Sequence, residues 1–359
     1  MGARSILIAM NRVVRIQAFV ETIWQWYSHN KRMLPWRDLP DADPALRAYK
    51  VMISEIMLQQ TQVSRVKIVF KDFLERFPYI QNLAQASNRE VLLAWRGMGY
   101  NSRALRLRDA AQKIVAGYGL RVTSPATRNP KPETMYFPSS MEELQSIPGI
   151  GNYTAAAIRN FAFNIPTPCL DTNIRRILHR TFVGPEKPDG MWKKDDAYLL
   201  ELAGEILQTA LERKKHNGKC KNIVRTPAEW HAALMDFGSM IQTKRNPKWE
   251  ACPLTASGIM KTSPQALARA ENRKSQIVNR KSFEPGRLVG TRFIPNRIFR
   301  GKVIEELRDA AGLSLETIGK NICIDWSKTH RKWLQSILDT LLRERMLQVQ
   351  KGRYRLFEG

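Results

Sequence analysis

The sequence predicts an all-α domain over residues 1–260, followed by a small α+β module at the C-terminus. Apolar residues recur at helical spacing through the first part of the chain. The connections between these stretches are short and carry helix breakers. Two short alternating runs, typical of a β-hairpin, close the chain. The predicted layout is a helical domain with an insertion at about 123–140, a basic linker over 261–290 and a C-terminal module over 291–359.

The helical spacing of apolar residues defines the predicted helices of the first domain. They cover residues 14–26, 51–77, 89–95, 105–118, 154–163, 174–182, 197–211 and 229–241. Glycine and proline separate them, as in GMG at 97–99 and PGIG at 148–151. The stretch 123–140 is rich in proline and poor in apolar residues, so we expect a surface insertion there.

The C-terminal module has its own apolar pattern. Val303, Ile304 and Leu307 predict one helix, and Leu315 with Ile318 predicts a shorter one. A longer apolar face runs over 333–342, and the alternating runs are at 347–349 and 354–356. Three helices and a hairpin are the pattern of a winged helix, a relative of the helix-turn-helix. This pattern predicts DNA binding, although winged helices also mediate protein contacts.

The balance of charge indicates a polyanionic partner. The chain has 58 Lys and Arg against 33 Asp and Glu, a formal net charge of +25 at pH 7. Such an excess favours nucleic acid over a membrane surface. No run approaches the ~18 consecutive apolar residues that a membrane helix needs, and the N-terminus has no cleavage-site pattern.

The four cysteines are scattered, with no CxxC pair: they are Cys169, Cys220, Cys252 and Cys323. In a chain without an export signal we expect reduced thiols. The predicted location is the cytoplasm, in association with the nucleoid if the source is bacterial. We expect a monomer, and nothing in the sequence identifies a protein partner.

The segment LQSIPGIGNYTA at 144–155 predicts a phosphate-binding hairpin between two helices. Gly149 and Gly151 permit a backbone path that a Cβ would block. A helix starts at once, so its N-terminal N–H groups and dipole form an anion site that grips backbone without reading sequence. Asn152, Tyr153 and Thr154 complete the predicted DNA contact. The competing interpretation is a plain helix–helix turn.

Five motifs in order carry a family resemblance. They are LPWR at 34–37, EIMLQQTQV at 55–63, WRGMGY at 95–100, the hairpin, and LDTNIRR at 170–176. Between about residues 34 and 254 the chain resembles the helix-hairpin-helix (HhH-GPD) DNA glycosylases, in the branch of endonuclease III and the MutY-like adenine-DNA glycosylases. The resemblance implies a two-lobed all-helical fold, with the base pocket between the lobes.

The resemblance implies two catalytic carboxyl groups. Hydrolysis of a glycosidic bond passes through a cationic sugar, which a carboxylate stabilises while an acid helps the base to leave. Asp171 matches the sugar-facing aspartate of the family, although a simple helix N-cap is the alternative. Glu55 matches the acid that protonates a departing purine, which requires a buried carboxyl group. A solvated helix glutamate is its alternative.

Other positions of the family motifs imply contacts with a flipped base. An extruded base leaves a gap in the stack, and Gln59, Gln60 and Thr61 match the segment that fills it. Polar surface filler is the alternative. Trp36, Arg37 and Tyr100 are candidates for the base pocket, and the two aromatic rings could equally be core residues.

Two departures from the family pattern are informative. Bifunctional relatives carry a nucleophilic lysine at the position of Tyr153; a phenol cannot form a Schiff base, so we expect no abasic-site lyase activity. The four cysteines that hold an iron–sulfur cluster fall at Gln242, Trp249, Cys252 and Gly258. One thiolate out of four cannot hold a cubane, so we expect neither the cluster nor any other cofactor.

The predicted function is therefore a monofunctional DNA glycosylase that acts on a mispaired or modified base flipped from duplex DNA. The QQTQV segment favours adenine in a mismatch. The C-terminal module stands where adenine glycosylases of the family have a Nudix-like domain, so thymine or uracil opposite guanine, or a modified cytosine, stays open. A DNA-binding protein without activity is the remaining alternative, and intact Asp171 and Glu55 argue against it.

Overall fold

The computed structural model describes residues 11–39, 43–118, 136–187, 191–212, 224–268 and 284–359. Its contacts divide the chain into two compact units. The first unit contains Met1–Met33 and Asn152–Asn279, and the second contains Leu34–Gly151 and Arg280–Gly359. Within the described residues, no helix combines the length and apolar character that crossing a membrane requires. Most of the predicted insertion at 123–140, and residues 269–283 of the predicted linker, lie outside the described residues.

The described residues are mostly helical, as the sequence predicts. In chain order the helices are α1 (Arg12–Asn30), α2 (Pro44–Leu58), α3 (Val63–Arg76), α4 (Ile80–Gln85), α5 (Asn88–Ala94), α6 (Ser102–Tyr118), α7 (Met141–Gln145), α8 (Asn152–Phe163), α9 (Thr172–Leu178), α10 (Asp196–Leu211), α11 (Pro227–Met240), α12 (Pro253–Ala256), α13 (Asn296–Arg308), α14 (Leu315–Ile322) and α15 (Arg331–Arg343). Two antiparallel hairpins pair β1 (Gly286–Val289) with β2 (Arg292–Pro295) and β3 (Leu347–Gln350) with β4 (Arg353–Leu356).

The first unit packs α1 against α10 and α11 around a core of aromatic rings. The rings of Trp24 and Trp230 lie 5.3 Å apart, and Phe19 meets Phe182 edge-on at 5.3 Å. Helix α9 packs against α11 at Gly238, where a Cβ would lie 2.5 Å from the Cβ of Asn173. This close approach, which only glycine permits, fixes the position of α9.

The first part of the second unit corrects one predicted helix. Residues 51–77 do not form one continuous helix, because α2 ends at Leu58 and α3 begins at Val63. Gln60 takes a left-handed backbone conformation, with φ 57°, which no helix interior accommodates. The polar run QQTQ at 59–62 separates the apolar patterns of the two helices, and the predicted single helix passed over it. The short helix α4 was not predicted, and predicted helix 174–182 is α9 continued by a π-helical turn at His179–Val183.

The C-terminal module contains the three predicted helices and the predicted terminal hairpin. An isolated antiparallel bridge between Leu313 and Tyr354 adds a third short extended segment beside β4. The β1–β2 hairpin was not predicted, and β1 lies inside the stretch 261–290 that the sequence assigns to a linker. Its two-residue turn has Gly290 at φ 56°, the conformation that favours tight hairpins. Regular structure therefore begins before residue 291.

Candidate active site

The hairpin before α8 presents its backbone to solvent. Ile147 and Ile150 are buried, at 2% and 4% exposure, and anchor the turn. Gly149 has φ 86°, a conformation that residues with a Cβ rarely adopt. Gly149, Gly151 and Asn152 are exposed, Tyr153 is half-buried and Thr154 is buried. The anion site predicted here thus consists of backbone and a helix N-terminus, whereas the side chain of Thr154 faces the interior.

Asp171 is the N-cap of α9. Its Oδ1 accepts a hydrogen bond from the N–H of Ile174 at 2.6 Å, and its Oδ2 accepts one from Nδ2 of Asn173 at 2.8 Å. The side chain is half-buried. Burial raises the pKa of Asp171, and the two hydrogen bonds oppose this shift only in part. The carboxyl group is therefore both a cap, as the alternative interpretation holds, and a fixed acidic group that still reaches solvent.

A chain of hydrogen bonds holds Asn173, the neighbour of Asp171, in place. Arg176 donates through Nη2 to Oδ1 of Asn173 at 2.6 Å and to the carbonyl of Gly238 at 2.9 Å. Its Nε donates to the carbonyl of Gln242 at 2.5 Å. Asp171 is thus tied through α9 to the end of α11, and its two oxygens have little freedom to turn.

Glu55 lies in the second unit, within α2. Its side chain is 7% exposed, between Ser54 at 1% and Ile56 at 3%. Its burial excludes the interpretation as a solvated surface residue, and its catalytic role stays a prediction.

Arg103 is a functional candidate that the sequence analysis missed. Its side chain is 5% exposed and its Nη1 donates to the carbonyls of Ile56 and Met57, both at 3.0 Å, and to that of Gln59. Its Nη2 donates at 3.0 Å to Oγ1 of Thr61. The same Nη2 donates at 3.2 Å to the carbonyls of Met98 and Gly99. The guanidinium of Arg103 therefore caps the end of α2. It also joins segment 59–61, which is predicted to fill the gap left by a flipped base, to the loop 97–101.

Helical periodicity contains a signal for Arg103. The residue falls on the apolar face of α6, in phase with Leu107, Ala110 and Ile114, all fully buried. An arginine among buried positions must satisfy its five donors internally, so it indicates a buried hydrogen-bond network. The sequence does not show which carbonyls it binds.

The base removal predicted from the sequence should slow by roughly 10²-fold in Arg103→Met, measured as a single-turnover rate, because small misplacements of a catalytic loop have effects of this size. DNA affinity should change far less, since Arg103 is buried. Rate and affinity are measured separately on the same duplex. Lys113→Met, which removes an exposed cation from the same helix, is the control. Equal rates for both variants would contradict the positioning role.

The structure separates the remaining predicted contacts into exposed and buried residues. Gln59 and Gln60 are exposed and Thr61 is half-buried, which fits both the predicted DNA contact and its alternative, polar surface filler. Tyr100 is 46% exposed, has φ 46° and lies 5.5 Å from the guanidinium of Arg103. Trp36 is 6% exposed and packs edge-on against Phe70 at 5.7 Å, so its ring is a core aromatic within its unit. Arg37 is half-buried.

The positions predicted to have lost an iron–sulfur cluster do not fit one. Nε2 of Gln242 donates to Sγ of Cys252 at 3.3 Å, and Met260 packs its sulfur against both. Gln242 and Cys252 are buried, Trp249 is half-buried and Gly258 is exposed. In the described part of the chain no group of three or more His, Cys, Asp or Glu could hold a metal ion. Cys220 lies outside the described residues.

Comparisons with known proteins identify the family of the chain. A family model described as "HhH-GPD superfamily base excision DNA repair protein" matches residues 53–195. The adenine DNA glycosylase of Mycolicibacterium smegmatis is 32% identical over 285 residues, which cover 79% of this chain and 78% of the relative. The adenine DNA glycosylase of Mus musculus is 32% identical over 264 residues, 73% of this chain and 43% of the relative.

Among solved structures, a thermostable thymine-DNA glycosylase superposes with a TM-score of 0.51 and 25% identity. The match covers 68% of this chain and 95% of that one. The chain spans less than half the length of its mouse, rat and human relatives, at 43%, 45% and 41%.

Proposed function

Because the chain belongs to the HhH-GPD superfamily of base excision DNA repair proteins, we propose that it is a monofunctional DNA glycosylase that removes adenine from a mismatch in duplex DNA. The observation that carries this proposal is the fixed carboxyl group of Asp171 at the start of α9. The positive net charge of +25 and the exposed hairpin backbone before α8 support duplex DNA as the partner.

The proposed reaction uses the two carboxyl groups in different protonation states. Glu55 donates its proton to the departing base, and the electrons of the glycosidic bond leave with that base. The sugar becomes cationic, and ionised Asp171 stabilises this charge and positions the water that attacks it. Asp171 accepts the proton that this water loses and passes it to solvent, and Glu55 regains a proton from solvent. The phenol of Tyr153 provides no amine to trap the sugar, so the product is an intact strand with an abasic site.

Similarity to several adenine DNA glycosylases, each about 32% identical, supports adenine as the base. The second candidate is thymine in a mismatch with guanine. It is favoured by the structural match, which covers 95% of a thymine-DNA glycosylase. Thymine does not need protonation as a purine does, so Glu55 would contribute less to its removal.

A strand-cleavage assay tests the proposal. Labelled duplexes carrying adenine, thymine or uracil opposite each base are incubated with the protein and analysed with and without alkali. We expect breaks at adenine only after alkali. Breaks without alkali would contradict the absence of lyase activity. Breaks at thymine or uracil alone would establish the alternative substrate. Intact strands under both conditions would reject a glycosylase.

We also propose that the protein works without an iron–sulfur cluster. The buried contacts of Gln242, Cys252 and Met260 occupy the end of α11 and the start of α12. Arg176 donates to the carbonyl of Gln242, and Arg180 donates to that of Thr243 at the start of the loop 243–251. In this proposal the exposed cations Lys244, Arg245 and Lys248 of that loop remain available to phosphates.

We further propose that the C-terminal module is a winged helix that contacts DNA. Its elements follow in the order helix, extended segment at Leu313, two helices and a hairpin. This order supports the proposed winged helix. Lys332 at the start of α15 and Lys351 at the turn of the β3–β4 hairpin are exposed. Such cations release counterions from DNA when they meet phosphates.

Replacement of Lys332 and Lys351 by alanine together is expected to weaken DNA binding and to reduce the slope of log affinity against log salt by about 2, roughly one per lost phosphate contact. Affinity is measured over a series of salt concentrations. Lys113→Ala, far along the chain on α6, is the control. A slope that matches wild type would exclude these two lysines from the DNA contact.

A further inference from the structure

The C-terminal module is joined to helix α5 of the same unit by a buried arginine. Arg308, at the end of α13, is 2% exposed. Its Nη1 donates to the carbonyl of Leu92 and, at 3.3 Å, to that of Leu93. These carbonyls belong to the last turn of α5, where backbone acceptors lack partners within the helix. Arg308 of α13 thus supplies hydrogen-bond donors to the C-terminal end of α5, which lies far earlier in the sequence.

Further contacts surround this arginine. Arg96, just beyond α5, pairs with Glu305 at 2.7 Å and with Asp309 at 2.6 Å. At the other end of α5, Nδ2 of Asn88 donates to the carbonyl of Arg345 at 2.7 Å. The ion pairs of Arg96 are half-exposed, so screening by solvent makes them weak. Buried Arg308 is the contact with the largest consequence, because its loss removes the side-chain donor to the buried carbonyl of Leu92.

The same arginine reaches the loop 97–101. Its Nη2 lies 3.5 Å from Oδ1 of Asn101, which is 9% exposed. The loop has two other arginine supports, since Arg65 of α3 donates to the carbonyl of Gly97 at 3.1 Å and Arg103 of α6 donates to those of Met98 and Gly99. Arginines from three different elements therefore hold the loop that carries Tyr100.

We propose that the C-terminal module positions the glycosylase site, because Arg308 fixes α5 and the loop 97–101. Disturbing this contact slows base removal without weakening DNA binding. The inference rests on the proposed glycosylase function and deepens it, since it gives the module a part in the chemical step in addition to any contact with DNA. Arg308 is a positioning residue and touches no substrate.

The test compares Arg308→Met with Arg308→Lys in the full chain. The single-turnover rate is measured at saturating protein, normalised to the active fraction by the burst amplitude, and the affinity for an uncleaved duplex is measured separately. We expect Arg308→Met to slow the rate by about 10- to 100-fold, as for a small displacement of a catalytic loop, with affinity within about twofold. Arg308→Lys keeps the cation and three N–H donors on a single nitrogen but loses the planar fork of the guanidinium, so it should recover part of the rate.

Lys320→Met is the matched control, because Lys320 is an exposed cation of the same module. Its rate should equal that of wild type. The melting temperature of each variant is measured, and the assays are run well below the lowest of these temperatures. A loss of rate is then distinguished from a loss of folded protein. A normalised rate for Arg308→Met equal to that of wild type would overturn the inference, as would a loss confined to affinity. Wild-type protein inactive on every duplex would instead reject the proposed function.

Discussion

Asp171→Asn is expected to abolish base removal while leaving the affinity for duplex DNA close to that of wild type. The single-turnover rate should fall by about 10³-fold or more, the scale of losing one preorganised electrostatic group at a site of developing charge. The amide has nearly the same shape and can still accept the hydrogen bond of Ile174. Asparagine is also a good N-cap, so α9 should keep its start and the variant should fold normally.

Asp195→Asn is the matched control for this substitution. Asp195 caps α10 with the same geometry, accepting a hydrogen bond from the N–H of Tyr198 at 3.0 Å, and it is exposed. If capping were the only role of Asp171, the two variants would behave alike. Activity of Asp171→Asn at the wild-type rate would remove Asp171 from the mechanism.

The raised pKa of Asp171 adds a dependence on pH to this prediction. The rate needs the ionised form, so it should decline as pH falls through a value above the ~3.9 of an ordinary aspartate. Stability has the opposite dependence, because the folded state binds this proton more tightly than the unfolded state. Ionisation of Asp171 therefore costs stability as pH rises through that range, and Asp171→Asn should melt slightly higher than wild type at neutral pH.

Glu55→Gln is expected to have the next largest effect, about 10²- to 10⁴-fold on adenine removal, the usual contribution of a general acid. The amide fills the same buried space in α2 but has no acidic proton to give. Single-turnover rates on adenine and thymine mismatches are the measurement. Glu75→Gln, which changes a carboxylate that is 67% exposed on α3, should leave both rates unchanged.

The pattern across substrates makes this second experiment decisive. A loss on adenine alone fits protonation of a purine by Glu55. An equal loss on every base would assign Glu55 a role in holding α2 and its neighbours, and a full rate on adenine would exclude it as the acid.

Local sequence signals were enough for most of the elements that carry the site. The hairpin follows from Gly149 and Gly151, whose backbone freedom and position between two apolar helices identify a turn with an exposed helix start. Asp171 follows from its place before α9 in the LDTNIRR motif, and the family membership that these motifs predicted is confirmed by the comparisons. Each of these signals involves residues that are close together in the chain.

Other features were beyond the reach of local signals. The break between α2 and α3 falls in the polar run 59–62, which contains no glycine or proline. Arg103, more than 40 residues later in the chain, caps the end of α2 at this break. Trp36 could not be assigned to pocket or core until its partner Phe70 was known. The β1–β2 hairpin lies in a stretch whose composition resembles a linker.

The sequence by itself determined the helical class, the hairpin before α8, the two candidate carboxyl groups and the absence of three of the four cluster cysteines. These depend on residue identity and on spacing of a few residues, which set backbone conformation and chemistry directly. Only the tertiary structure decided that Asp171 is held through Asn173 and Arg176, that Glu55 is buried, and that Arg103 and Arg308 support the loops of the second unit. Those features arise from hydrogen bonds and packing between distant parts of the chain, where the partner of a side chain is determined by the fold.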